Sequence, residues 1–216
     1  MSKSNKYGYS GVDIPTQAAF ANVGKFDPAE INELVQEDKW TQYGQLELIE
    51  TQNVSGVSAI DFTNIKENEY NVHFVTANNM STNTDQRHLI TRFSTDGGSS
   101  FISSGYQQAQ QYMLASGSFG EHRSTSQSFL NYWTSSLGLN EEVGNAYMYL
   151  YNLGDSTKYS FSTEMSSDFD YLNILQVNFG SSVYPQANVV NAIRFEGHSS
   201  TSWTGSISLY GIKEYS

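Results

Sequence analysis

The sequence predicts an all-β protein: an antiparallel, jelly-roll-like β-sandwich that follows an extended N-terminal arm and one short α-helix. Three observations lead to this prediction. Apolar and polar residues alternate with period two in most segments after residue 45. Turn-forming residues separate about eight to ten such segments, as in sandwiches and jelly rolls. Aromatic residues make up 14% of the chain and charged residues only 15%, which suits sheets with uncharged polar faces.

Residues 1–26 show no periodic pattern. Tyr7, Tyr9, Phe20 and Phe26 are scattered among Gly, Ser, Asn and Gln. Such a segment cannot bury a core of its own. Two interpretations remain open: a disordered tail, as termini often are, or an arm that becomes ordered against a partner. The aromatic residues favour the arm, because solvated tails contain few of them.

One helix is predicted at residues 27–39. Asp27 is a good N-cap, Pro28 suits the first helical position, and Glu30 can close a capping box. Acidic residues near the start and Lys39 near the end match the helix dipole. A helix of about 12 residues is marginal alone, so we expect its narrow apolar stripe to dock on its own domain or on a neighbouring subunit.

The docking stripe defines a predicted anchoring interface. Its residues are Phe26, Ile31, Leu34, Val35, Trp40 and Tyr43. Burial of a large apolar side chain contributes about 1.5 to 3 kcal/mol, and the contribution is multiplied in a symmetric oligomer. We therefore divide the chain into an anchoring arm and helix, residues 1–43, and a β-sandwich domain, residues 44–216.

Strands are predicted wherever the alternation holds. The predicted strands are Gln45–Ile49, Ser58–Thr63, Tyr70–Phe74, Gln110–Leu114, Ser126–Tyr132, Ala146–Leu153, Lys158–Thr163, Leu172–Phe179, Val189–Phe195 and Gly205–Ile212. Ala146–Leu153 and Lys158–Thr163 form a predicted hairpin. Between residues 103 and 145 long glycine-containing loops are expected to be the most exposed part of the domain.

A further hairpin is predicted at Leu89–Phe101. Asp96-Gly97-Gly98 is its turn, because a two-residue hairpin loop needs positive φ, which Gly adopts without steric cost. Phe93 and Phe101 flank the turn, and a register that pairs their rings would place both on one buried face.

Composition excludes several classes of function. The formal net charge is −11 and the pI about 4.6, so a nucleic-acid partner is not expected; the charge also suits simple solubility. Cysteine is absent, which excludes disulfides and thiolate metal sites. The first residues lack an apolar h-region and no run approaches 18 apolar residues, so we expect neither a signal peptide nor a membrane span.

Few residues carry recognisable chemistry. His73, His88, His122 and His198 have no metal-ligand spacing. The pair at Asp168 and Asp170 matches part of a calcium loop, but the Gly at position six and the closing Glu of such a loop are missing. The pair Glu141-Glu142 has no assignable glycosidase partner, and nucleophile and nucleotide motifs are absent. We expect no catalytic residues, no metal and no cofactor.

The aromatic residues allow one binding site. Trp133, Trp203 and the Tyr-rich strands could form a platform for a glycan, because aromatic faces pack against the apolar faces of sugars. The alternative is packing in the core and between subunits, where Tyr and Trp are also favoured.

Six short sequence segments, in order along residues 46–212, resemble those of a β-domain of virion structural proteins from tailed phages, notably marine cyanophages. They are Leu48-Ile-Glu-Thr-Gln, Ala59-Ile-Asp-Phe-Thr, Tyr70-Asn-Val-His-Phe, Arg92-Phe-Ser-Thr-Asp-Gly-Gly-Ser-Ser-Phe101, Tyr149-Leu-Tyr-Asn-Leu-Gly154 and Gly205-Ser-Ile-Ser-Leu-Tyr-Gly-Ile212. The stretches Asp13-Ile-Pro-Thr and Phe26-Asp-Pro-Ala-Glu look like the leader of such proteins.

The resemblance implies a non-enzymatic component of the virion: a tail, neck or head fibre, or a capsid decoration protein. Its partners would be other virion proteins and further copies of this chain, as a trimer. The rival interpretations are a receptor- or glycan-binding module that recognises a host surface glycan, and a polysaccharide-degrading enzyme.

Deletion of residues 1–43 tests the anchoring interface. We expect the truncated chain to be lost from purified particles, because the apolar docking stripe is removed. Quantitative immunoblotting of particles made with the truncated or full-length chain measures this loss. Normal incorporation of the truncated chain would contradict the anchoring hypothesis.

Overall fold

A computed structural model describes residues 28–36, 45–134, 137, 139 and 142–213. The chain divides into two units between residues 44 and 45. Helix α1, Pro28–Gln36, belongs to the first unit and lies within the predicted helical segment. All strands belong to the second unit, and they form two antiparallel sheets. The predicted all-β class and β-sandwich are confirmed.

The second unit contains eleven described strands. They are β1 (Leu46–Val57), β2 (Ala59–Phe62), β3 (Val72–Thr82), β4 (Leu89–Ser94), β5 (Tyr106–Leu114), β6 (Phe119–Gln127), β7 (Gly144–Tyr151), β8 (Ser160–Phe169), β9 (Leu175–Tyr184), β10 (Ala192–Gly197) and β11 (Trp203–Ile212). The large sheet has the order β1-β11-β3-β7-β8-β9-β5-β6, and the small sheet has the order β2-β10-β4.

The chain passes repeatedly between the two sheets, as in a jelly roll. Strands β1 to β5 alternate between the large and small sheets, and β10 lies in the small sheet between β9 and β11 along the chain. Strands β7, β8 and β9 form a meander within the large sheet. The predicted hairpin of residues 146–163 is confirmed as β7 and β8, with Tyr151 opposite Phe161.

The predicted hairpin at Leu89–Phe101 is wrong. Strand β4 pairs with β10, and the chain after Gly98 leaves the small sheet and leads to β5 in the large sheet. The turn itself is present, since Gly97 and Gly98 have φ of 72° and 88°. Phe93 is buried, whereas Phe101 is half-buried with the Arg194 guanidinium 4.0 Å from its ring centroid. A turn motif fixes the local bend but not the sheet that the next strand joins.

The apolar core lies between the small sheet and strands β11, β3 and β7. The alternation of these strands turns one apolar side inward. Phe195 is central: its ring lies 5.9 Å from that of Phe62 and 4.8 Å from that of Trp133, between centroids. Other buried members are Ile60, Val75, Ala77, Phe93, Met148, Leu150, Ile193, Ile207 and Leu209.

The segment 128–134 extends the cover provided by the small sheet. It runs beside β4, where the Leu130 N–H donates to the Thr91 carbonyl and the Trp133 N–H donates to the Leu89 carbonyl. The side-chain amide of Gln110 on β5 donates to the Tyr132 carbonyl and accepts from its N–H, at 2.9 and 3.0 Å. The segment is thus held on both sheets.

This packing corrects two expectations about residues 103–145. Strand β6 ends at Gln127, so the predicted strand Ser126–Tyr132 is wrong over most of its length. Phe129, Leu130 and Trp133 are fully buried, so this segment is not exposed as expected. The glycine-rich composition around it indicated loops, but the apolar residues inside it close the core.

Both edges of the large sheet are irregular or charged. Edge strand β1 has register shifts between Leu48 and Glu50 and between Val54 and Val57. Edge strand β6 carries the exposed ion pair of Arg123 and Glu121, with 3.1 Å between Nε and Oε1. Bulges and charges are two devices by which proteins prevent an edge strand from pairing with another chain.

Asp96 gives a pH-dependent test of the turn. Its carboxylate accepts hydrogen bonds from Ser100 and Ser94, which lower the pKa from 3.8 to about 2. A depressed pKa stabilises the folded chain above the ordinary value, and that stabilisation is lost as the pH falls through about 2. NMR titration of the Asp96 carboxyl should give this low midpoint in the native chain and a higher one in Ser100→Ala. An ordinary midpoint in the native chain would contradict the hydrogen-bonded turn.

Candidate functional site: the outer face of the large sheet

Strand β8 reverses the usual polarity of a sandwich strand. Its inward side chains are polar and buried: Ser160, Ser162, Glu164, Ser166 and Asp168. Its outward large side chains are Phe161, Met165 and Phe169, and all three are exposed. Because side chains alternate strictly along a strand, the pattern predicts two faces but not which one is buried.

The same outward apolar character continues across the sheet. We define the outer face as the outward side chains of the seven adjacent strands from β1 to β5. Nine of its large apolar side chains are 38–59% exposed. They are Leu46, Leu48, Met113, Tyr147, Phe161, Met165, Phe169, Leu175 and Phe179. Scattered single apolar residues are normal on a surface, but a contiguous patch marks an interaction site.

No Lys, Arg, Asp or Glu projects from the outer face of these seven strands. Alternation and register place Ser, Thr, Asn, Gln, Ala, Val and Ile between the larger side chains. The first outward charges of the sheet are Glu121 and Arg123 on β6. The outer face is therefore uncharged over most of the sheet, with large apolar side chains set among small polar ones.

An aromatic ladder crosses the centre of this face. The Phe74 ring lies 4.8 Å from Tyr149, 6.2 Å from Tyr147 and 6.1 Å from Tyr210, between centroids. Tyr149 and Tyr151 are stacked, with 21° between their planes. Cross-strand aromatic pairs of this kind stabilise a sheet. They also give the face a rigid surface of rings whose hydroxyl groups can bind a partner.

Two shallow depressions interrupt the outer face. One, of about 340 Å³, lies between Phe74, Tyr147 and Met165 above small polar residues. The other, of about 360 Å³, lies beside Phe179 and Gly180 and reaches the charged edge at β6. The face thus offers protruding rings and adjacent hollows, the features that allow two surfaces to interlock.

The outer face of the small sheet has the opposite character. Arg194 donates two hydrogen bonds of 2.7 Å to the Asp61 carboxylate. Arg92 Nε lies 3.1 Å from Glu196 Oε1 in the same layer. These charges make an ordinary solvated surface. The chain therefore places charges on one outer face and excludes them from the other.

The predicted glycan contact at Trp133 and Trp203 is wrong. Both side chains are fully buried, so neither can present a ring to a sugar. Trp133 packs against Phe195 in the core, and Trp203 belongs to the same core cluster. Apolar burial outweighs any surface role for these rings. Exposed rings of the outer face are instead Tyr147, Phe161, Phe169 and Phe179.

The predicted anchoring interface is not tested by the structure. Ile31, Leu34 and Val35 lie in α1, whose backbone alone is described at these positions. Phe26, Trp40 and Tyr43 lie outside the described residues. The anchoring role of these six residues stays a prediction.

Three histidines that are distant in sequence meet around Tyr132. The Tyr132 ring lies 4.9 Å from His88, 4.5 Å from His122 and 5.5 Å from His198, between centroids. Burial lowers the pKa of His88 to about 4, helped by the nearby His122. Within the described residues, no three His, Asp or Glu side chains are placed to hold a metal ion. Strand pairing creates this cluster, and no sequence spacing indicates it.

Asp170 has a structural role in the turn after β8. Its carboxylate accepts from the N–H groups of Leu172 and Ile174, both at 2.9 Å. Asp168 accepts from the Asn178 amide at 2.9 Å and from the Ser166 hydroxyl at 3.1 Å. Both aspartates are buried on the inward side of the chain, in hydrogen-bonded surroundings rather than in a cation loop.

Comparison with known proteins gives no match: no family model, no curated protein and no solved structure matches this chain. Within the described residues, α1 is the one helix, and it is too short and too polar to cross a bilayer.

Tryptophan fluorescence tests the placement of Trp133 and Trp203. In a Trp40→Phe variant these two residues are the remaining tryptophans. We expect a blue-shifted emission and little quenching by acrylamide in the native state, because both rings are buried. The urea-unfolded variant supplies the fully accessible reference. Strong quenching of the native variant would contradict the burial of one or both rings.

Proposed function

We propose that this chain is a non-enzymatic structural protein of a phage virion that assembles with further copies of itself through the outer face. The observation that carries the proposal is the seven-strand face without charge and with nine exposed large apolar side chains. Interface cores are depleted of charged residues and enriched in Tyr, Phe and Met, as this face is.

The size of the outer face suits a specific interface. Seven strands about 4.8 Å apart, with about eight residues each at about 3.3 Å per residue, span roughly 750 Å². A standard-size protein interface buries about 800 Å² on each partner. One face therefore supplies about the area that stable association requires.

The charge of the chain favours another copy as the partner. Two chains that each carry a net charge of −11 repel each other wherever like charges meet. Contact through the uncharged outer face adds no close pair of like charges, because the described charged groups of the sandwich lie elsewhere. The charged small sheets would remain in solvent, where their ion pairs cost no desolvation.

The virion assignment comes from the resemblance of residues 46–212 to phage structural proteins. In this proposal three copies place their outer faces toward a common axis, and the arm and helix of residues 1–43 attach the trimer to other virion proteins. The location on the particle would be a tail, neck or head fibre, or the capsid surface.

Glycan binding remains a second candidate function, now at a different place. Phe74, Tyr147, Tyr149 and Tyr151 form a partly exposed ladder that Trp133 and Trp203 do not provide. Flat aromatic surfaces with neighbouring amide side chains can hold the apolar faces of sugars. Asn145 and Asn78 line the depression beside Tyr147 and would supply such amides.

Charge substitutions on the outer face test the assembly. Tyr147→Glu and Met165→Glu each place a carboxylate in the face, and we expect either to dissociate the oligomer because the charge cannot be desolvated without a partner. Light scattering after size exclusion should give about 72 kDa for a trimer of the native 24.1 kDa chain, and the monomer mass for each variant.

Thr125→Glu is the matched control. Thr125 is exposed on β6 beside Glu121 and Arg123, outside the uncharged face, so the variant should assemble like the native chain. A native chain that is monomeric at all accessible concentrations would contradict assembly through this face. Sugar binding on a glycan array that is lost in Tyr149→Ala, with a monomeric native chain, would establish the glycan function instead.

A further inference from the structure

A buried polar layer lies behind the outer face, between the large sheet and segment 128–134. It is formed by the inward side chains of β8, β9 and β5, and Asn131 faces it from the covering segment. Register places Ser182 between Ser162 and Gln108, in the row next to Glu164 and Gly180. The side chains of Ser162, Glu164, Ser182, Gln108 and Asn131 are at most 5% exposed. This layer is separate from the outer face.

Glu164 is the centre of this layer. Its side chain is 3% exposed. Burial raises the pKa of Glu164, while side-chain hydrogen bonds from Ser162, Asn131, Ser182 and Gln110 oppose that shift. Within the described residues, no Lys or Arg forms an ion pair with it.

The amide oxygens in this layer lack partners. Asn131 Oδ1 and Gln108 Oε1 are buried without a described hydrogen bond. Most buried polar atoms in proteins are satisfied, and each exception needs an explanation. A buried carboxylate without a described counter-ion and two unpartnered amide oxygens in one layer indicate a shared guest.

The oxygen set identifies the chemistry of the guest. Carboxylate, side-chain amide and hydroxyl oxygens are hard ligands, which suit alkali and alkaline-earth cations rather than transition metals. Glu164 supplies one negative charge. Asp168 is four residues further along β8, about 13 Å away at about 3.3 Å per residue, and cannot share the ion. One carboxylate among neutral oxygens is balanced by a single positive charge.

We propose that Glu164, Asn131, Ser162 and Ser182 bind an alkali metal cation, K⁺ or Na⁺, between the large sheet and segment 128–134. Gln108 lies beside Ser182 in the register and provides a further amide oxygen. A proton on Glu164 would supply one donor, which cannot satisfy both Asn131 Oδ1 and Gln108 Oε1. A cation is coordinated by several oxygens at once and offsets the cost of burying the carboxylate.

The location gives the cation a structural role. Asn131 belongs to the segment that Gln110 holds through the backbone of Tyr132, whereas Glu164 and Ser182 belong to the large sheet. An ion bound between them would join the two layers where the apolar core ends. Binding to the folded state alone stabilises it by mass action.

Thermal unfolding of the full chain in different salts tests the site. At equal ionic strength, KCl or NaCl should raise the melting temperature above that in choline chloride by about 3 °C or more. Choline is too large for a buried site. Glu164→Gln keeps the side-chain shape but removes the charge, so the difference between salts should vanish. Glu121→Gln, at an exposed position, should keep it.

A crystal grown in rubidium chloride gives the direct result, even if Glu164→Gln does not fold. We expect an anomalous difference peak within coordination distance of Glu164, Asn131 and Ser162 in the native chain. Equal melting temperatures in all three salts together with a map that lacks this peak would overturn the proposal. An ordered water at the position, with no rubidium signal, would overturn it as well.

Discussion

The structure depends on a mismatch in width between its two sheets. Eight strands face three, so the small sheet can bury only part of the large one. Over β11, β3 and β7 the contact is apolar and carries the core. Beyond β7 the described cover includes segment 128–134, held by β4 on one side and by Gln110 on the other, and the buried Leu137, which bridges to Asp170. This thin cover meets polar side chains, which explains why the interior changes character halfway across the sheet.

The polarity of the two sides of the large sheet follows from that mismatch. Where the interior is polar, at β8 and β9, the apolar residues of the strands point outward. Strands β8 and β9 gain little hydrophobic stabilisation within one chain, because their apolar side chains point outward into solvent. Covering the outer face with another apolar surface would restore it. The proposed assembly and the proposed cation thus compensate for the same shortage of cover, one on each side of the sheet.

Sequence patterns predicted where the strands lie along the chain better than which sheet each strand joins or which of its sides is buried. Period-two alternation located most strands, and the Asn152-to-Asp155 turn between two alternating runs correctly indicated β7 and β8. The Asp96 turn misled because the following chain joins the other sheet. The outer face was missed for a different reason: Phe161, Met165 and Phe169 were visible as an alternating set, but such a set is normally assigned to the core. For Trp133 the sequence left a glycan platform and core packing open, because the loops around it concealed the covering segment, and its burial decides for the core.

The two edges of the large sheet set a limit on any assembly. Strand β1 is bent by two irregularities, and β6 carries the Glu121–Arg123 pair along its rim. Addition of strands from another chain would be open-ended, since each added sheet exposes a new edge. Contacts between outer faces around a symmetry axis instead bury the apolar surface, so the assembly closes at a fixed copy number. A large apolar face can thus support the proposed assembly without the formation of fibrils.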